Sequence, residues 1–176
     1  MTETRPPVLF GEDLIRERVR DLGRRISEDY SGKEIAVVGV LKGAMVFMAD
    51  LIRAIERPVS CHFLKLAPPK EGGRIDFAFA IEDDLAGRDV LLLNDVVDTG
   101  VTQSFMAAHI LEEWKPQTLK IATLVDREDH RKVDCPVDYA CFKLTRDGYV
   151  VGYGLAYREQ FRELPYIGLL PAPERT

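Results

Sequence analysis

A run of four apolar residues, Val90–Leu93, passes without a break into Asn94-Asp95-Val96-Val97-Asp98-Thr99-Gly100. A short apolar stretch closed by polar turn residues has the form of a strand buried on both faces. Such a strand demands a sheet covered on both sides. Behind it, Met106, Ala107, Ile110, Leu111 and Trp114 recur at helical spacing, so Thr102–Trp114 is expected to be a helix. Asp95 to Thr102 then lie at the carboxyl end of a strand, on the turn into a helix. In open α/β sheets this edge is where ligands bind.

The residue types on that turn restrict the ligand. Gly100 permits a backbone conformation that other residues resist. The hydroxyls of Thr99 and Thr102, with the unpaired amides of a helix start, make a cradle for a phosphate. Asp95 and Asp98 would repel a bare phosphate. The ligand must therefore also bring hydroxyls, a divalent cation or a proton to be moved. A sugar phosphate carried with a metal ion meets all three conditions. The competing reading is a solvated acidic turn in which Asp98 or Thr99 merely caps the helix.

The rest of the chain has the same α/β rhythm. Residues 1–9 read as a loose arm, and Glu12–Tyr30 as an amphipathic helix with Ile15, Val19, Leu22 and Ile26 on one face. Glu34–Val40 is a β-branched buried strand. It runs into Leu41-Lys42-Gly43 and an apolar helix over Ala44–Ile55, which sets Lys42 on the same sheet edge as Asp95. Val59–Leu66 and Arg74–Ile81 read as strands of a hairpin whose connecting loop, 67–73, projects from the sheet. Leu119–Val125 is the next strand, and Asp126–Asp134 a charged loop in which His130 is expected to be a surface residue. Tyr139–Leu144, Tyr149–Gly152 and Tyr166–Leu170 are short strands, with a helical turn over Ala156–Leu164. At 176 residues this is one domain. A net charge of −5 argues against broad nucleic-acid binding. The start, MTETRPPVLF, shows no apolar signal-peptide core, no apolar run is long enough for a membrane span, and the three cysteines have no zinc spacing. A cytoplasmic protein is expected.

The segments VVGVLKGAMVFMADL (37–51), NDVVDTGVT (94–102), KVDCPVDYACF (132–142) and VVGYGLAYREQFRELPYIGLL (150–170) resemble, in order and spacing, the type I phosphoribosyltransferases. The hypoxanthine-guanine members are the most similar. The resemblance runs from about Val8 to about Leu169. It implies a central parallel sheet flanked by helices, a small hood completed by about 145–176, and a flexible hairpin that closes as a lid. It also implies transfer of phosphoribose from phosphoribosyl pyrophosphate to a purine base, giving the nucleoside monophosphate, with Mg²⁺ and a homodimer or homotetramer.

By that resemblance Asp98 is the catalytic acid/base beside N7 of the purine. Leu41, Lys42, Gly43 and Arg162 meet pyrophosphate, the first three through a loop that often carries a cis peptide before the lysine. Thr99, Gly100, Val101 and Thr102 surround the 5′-phosphate. Asn94 and Asp95 face the ribose hydroxyls, and Asp95 assists the metal indirectly. Arg127, Tyr149 and Val150 hold the base. Four positions depart from the family pattern. Asn94 replaces an acid, Arg127 a lysine, Ala156 a metal-holding aspartate, and Lys65–Pro69 lacks the lid's Ser-Tyr pair. Two functions are therefore expected to compete: a 6-oxopurine phosphoribosyltransferase, and a nucleotide-binding regulatory relative with little turnover.

Overall fold

Alternation along the two innermost strands decides the architecture. The structure is a computed structural model and describes residues 5–66, 77–80 and 84–171. Strand β2 (Ile35–Leu41) sends Ile35 and Val37 to one face and Ala36, Val38 and Val40 to the other. Strand β5 (Asp89–Val97) divides Leu91 and Leu93 from Val90 and Leu92 in the same way. All of these side chains are buried. Helices α1 (Glu12–Asp29) and α2 (Met45–Ala54) cover the first face through Ile15, Val19, Phe47 and Leu51. Helix α3 (Val101–Glu113) covers the second through Met106 and Ile110.

The remaining strands are β1 (Val8–Phe10), β3 (Val59–Leu66), β4 (Phe77–Ala80), β6 (Thr118–Asp126), β7 (Tyr139–Lys143), β8 (Tyr149–Val151) and β9 (Ile167–Leu170). The main sheet has six strands in the order β4-β3-β2-β5-β6-β7. From β3 to β7 neighbours run parallel, and β4 is antiparallel to β3. The chain leaves β2 toward β3 on one side and resumes with β5 on the other. That reversal opens a crevice at the carboxyl ends of β2 and β5. A three-stranded antiparallel sheet, β1-β9-β8, forms the hood.

Two expectations need correction. Val8–Phe10 is not a loose arm: it pairs with β9, Val8 opposite Gly168, and Phe10 stacks on Phe142 at 4.1 Å. The apolar pair Val8-Leu9 was too short to reveal a strand whose partner lies about 160 residues away. Nor is Ala156–Leu164 a helical turn. Its ends return to the preceding segment, with Tyr153 N–H donating to the Leu164 carbonyl and Gly154 N–H to the Arg162 carbonyl. Left-handed φ angles at Arg158, Glu159 and Phe161 carry the reversal. The 67–73 loop and its expected role as a lid lie outside the described residues.

Candidate active site

Strand pleating and two tight loops assemble the site. Because neighbouring residues on a strand face opposite ways, Asn94 and Asp95 diverge at the end of β5. Asn94 turns toward α3 and is buried, its Oδ1 accepting from Gln103 Nε2 at 3.3 Å while Nδ2 has no partner. Asp95 turns toward the β2–α2 loop. A Cβ built on Gly43 would lie 1.6 Å from Asp95 Oδ2, so only glycine lets this loop rest against the carboxylate. Gly154 of the hood, at φ +94°, also approaches the Gly43 carbonyl closely, with 2.7 Å from its built Cβ to that oxygen. The peptide bond between Leu41 and Lys42 is cis.

Burial pushes the Asp95 carboxyl above its ordinary range, opposed by the Val96 amide and the nearby Arg162 charge. Oδ1 accepts from Val96 N–H at 2.8 Å.

On the next turn Gly100 sits at the N-cap of α3 with φ +80°, and no side chain caps the helix. The solvated-cap reading therefore fails for both Asp98 and Thr99. The first amides of α3 keep no side-chain partner, which leaves them for an anion.

These elements enclose a cavity of about 790 Å³ at the crevice between β2 and β5. Of the residues expected at the site, Leu41, Lys42, Gly43, Asn94, Asp95, Asp98, Thr102, Arg127, Tyr149, Val150 and Arg162 line it. Thr99, Gly100 and Val101 do not. Gly100 faces Cys135 and Arg131 instead, and the Thr99 carbonyl accepts from Lys132 N–H. Ala156 also lines the cavity.

Three features of the cavity were not legible in the sequence. His130 is not a bystander on the surface: its Nδ1 lies 2.7 Å from Asp98 Oδ1, and it lines the cavity. Arg127 is buried, with Nη1 donating to the Gly148 carbonyl at 2.9 Å and Nη2 to the Arg146 carbonyl at 2.8 Å. It thereby fixes the turn that carries Tyr149 and Val150. The Tyr149 ring is exposed and packs against Tyr157 at 5.0 Å. Finally, Glu159 joins the cations expected to meet pyrophosphate, with Lys42 Nζ at 2.8 Å and Arg162 Nη2 at 3.2 Å. Both cations hold the Glu159 carboxyl below the usual range, Lys42 most strongly. Neither contact had a local signal, since His130 is 32 residues from Asp98 and Glu159 is 117 from Lys42.

The site can bind an anion at the β2–α2 loop and another at the start of α3. It holds a partly exposed carboxylate, Asp98, between them and an aromatic platform beyond. Among the described residues no group of three or more His, Cys, Asp or Glu side chains is placed to hold a metal ion.

Comparison with known proteins agrees with this geometry. Residues 12–158 match the phosphoribosyl transferase domain. The chain is 38% identical over 167 residues to the hypoxanthine-guanine phosphoribosyltransferase of Streptococcus pneumoniae strain R6, covering 93% of this chain and 92% of the relative. It is 38% identical over 171 residues to that of Dictyostelium discoideum, covering 93% and 94%. A crystal structure of a Bacillus anthracis hypoxanthine-guanine phosphoribosyltransferase superposes with a TM-score of 0.87 at 34% identity, over 95% of this chain and 99% of that one. The fold, the crevice between β2 and β5 and these relatives agree: the chain belongs to the type I phosphoribosyltransferase family, among its hypoxanthine-guanine members.

Proposed function

We propose that this protein is a purine-salvage phosphoribosyltransferase. It joins a 6-oxopurine, hypoxanthine or guanine, to 5-phosphoribosyl 1-pyrophosphate and yields the nucleoside monophosphate and pyrophosphate. The observation that carries this reading is the convergence of Asp95, Asp98 and Thr102, in the first turn of the uncapped helix α3, on one cavity.

In the reaction the purine nitrogen bonds to C1′ of the ribose as the bond from C1′ to pyrophosphate breaks. The sugar passes through an oxocarbenium-like state, so no covalent nucleophile is needed. Asp98 takes the proton that the purine loses as its ring nitrogen attacks. The amides and hydroxyls of Thr99–Thr102 hold the 5′-phosphate. Asp95 accepts from the ribose hydroxyls, and Asn94 serves them without a charge. Tyr149 stacks on the base beside Val150, and Arg127 anchors the turn beneath both. The Leu41–Gly43 loop and Arg162 receive pyrophosphate.

The donor set does not fit a resident metal. Ala156 removes the carboxylate that would hold one, and Asn94, at the ribose hydroxyls, brings no charge. Mg²⁺ accordingly belongs to the substrate, chelated by its diphosphate, where it neutralises charge on the leaving group. We further assign the protein to the cytoplasm, in line with the absence of any membrane-crossing helix among the described residues. A homo-oligomer is proposed through the α2 face, where Met45 is exposed.

A chromatographic assay of hypoxanthine, guanine and xanthine, each with phosphoribosyl pyrophosphate and Mg²⁺, tests the function. Inosine and guanosine monophosphates are the expected products. No nucleotide from any base, together with a clear thermal shift on adding either monophosphate, would leave a binding protein instead.

Glu159 gives a second test. Pyrophosphate must displace its carboxylate from Lys42 and Arg162 before binding. Each contact is exposed and so weak, which sets the expected gain: Glu159→Gln lowers the KM for phosphoribosyl pyrophosphate roughly two- to fivefold. An unchanged or raised KM in steady-state kinetics would contradict the displacement.

A further inference from the structure

Asp98 does not stand alone in the cavity. His130 ends a single 3-10 turn, Glu128–His130, that follows β6. Its Nδ1 lies 2.7 Å from Asp98 Oδ1. An ionised carboxylate has no proton to give, so the ring donates from Nδ1. On its other side Nε2 lies 3.4 Å from Arg127 Nη2. A guanidinium only donates, whereas the Asp147 carboxylate beside the same Nε2 only accepts, so these two neighbours pull the Nε2 proton in opposite directions. The Asp98 contact thus sets a proton on Nδ1, whatever Nε2 carries. Arg127 is itself immobilised by the Gly148 and Arg146 carbonyls, and its Nε lies 3.8 Å from Asp98 Oδ1. Asp147, almost wholly exposed, completes the charged surroundings, with Oδ1 3.5 Å from His130 Nε2 and 3.9 Å from Arg127 Nη2.

We infer that His130 is a positioning residue for Asp98: it occupies Oδ1 and so fixes Oδ2 as the oxygen that receives the purine proton. The inference rests on the transferase reading above. Asp98 stands on a turn, half exposed, and carries two rotatable side-chain bonds. A free carboxylate there would sample several rotamers, and a general base works only within hydrogen-bond reach of its proton. The Nδ1–H contact removes that freedom on one oxygen and leaves the other open. In the step itself the purine N–H bond breaks and the proton passes to Oδ2. His130 keeps its own proton throughout, so the imidazole enters and leaves the reaction unchanged.

The test is a set of variants measured for kcat, KM and melting temperature. A hydrogen bond to a charged group sets the scale, so His130→Ala is expected to lower kcat about 10- to 100-fold. The KM for phosphoribosyl pyrophosphate should stay within about twofold, since no phosphate or ribose contact changes. His130→Asn, whose amide reaches the Nδ1 position, should recover most of the rate, whereas His130→Gln, which reaches the Nε2 position, should not. In an Asp98→Asn background His130→Ala should lose nothing further, because the base it positions is gone. Unchanged kcat in His130→Ala would overturn the inference. So would an equal loss in both backgrounds with a lowered melting temperature, which is the mark of a structural role. If His130→Ala does not fold, the contrast between Asn and Gln decides. A wild-type protein that makes no nucleotide overturns the transferase reading instead, a result distinct from any of these.

Discussion

Asp98→Asn should lower kcat roughly 10²- to 10⁴-fold, the range of a general base removed from a positioned site. The dissociation constant of a nucleoside monophosphate should move by no more than a few fold. Asparagine keeps an oxygen for His130 Nδ1–H to donate to, so the carboxamide stays where the carboxylate was. Only its capacity to take a proton is lost. An isosteric change of this kind separates chemistry from binding. Single-turnover rates alongside calorimetric titration with inosine monophosphate would measure both. Equal losses in rate and affinity would show that Asp98 contributes binding rather than proton transfer.

The second large effect is a split between stability and activity at Asp95. Burial raises its carboxyl above the ordinary value, so the folded chain binds this proton more tightly than the unfolded one. The ionised form therefore destabilises the fold above the raised value, and the penalty vanishes as the pH falls below the value of an unfolded aspartate. Asp95→Asn removes it. The Val96 amide still has an acceptor, so the melting temperature at neutral pH should rise by roughly 2–6 °C. At about pH 3, below the ordinary value of an unfolded aspartate, the gain should shrink toward zero. The same variant should lose roughly 10- to 100-fold in kcat/KM for phosphoribosyl pyrophosphate, as a charged acceptor for ribose hydroxyls becomes neutral. Melting curves at both pH values with steady-state kinetics check the pair. A variant less stable at neutral pH would show that the carboxylate is compensated in the fold.

How much of this was legible in the sequence depends on the reach of each contact. The sheet followed from local signals: the apolar run of β5, the β-branched β2 and the alternating face of α1 left little choice of architecture. Asp95 and Asp98 could be placed at a ligand-binding edge because strand, turn and helix are contiguous there. Their cavity partners could not. His130 and Glu159 reach the site from charged stretches that, read locally, look like any solvated surface. Arg127 was expected as a direct partner of the base, yet its terminal nitrogens are held by carbonyls of the 146–148 turn. The return loop after Gly154 misled for a related reason. Phe161 and Leu164, three residues apart, fit helical spacing, but the backbone hydrogen bonds cross to Tyr153 and Gly154. Local periodicity reports which side chains are buried and not where the backbone finds its partners.

The most direct measurement is a crystal structure with inosine or guanosine monophosphate bound. The 5′-phosphate should lie within hydrogen-bond distance of the backbone amides of Thr99–Thr102, the ribose hydroxyls against Asp95, and the purine on Tyr149 with its imidazole nitrogen at Asp98. A nucleotide bound outside the crevice between β2 and β5, or one that leaves both carboxylates untouched, would contradict the account.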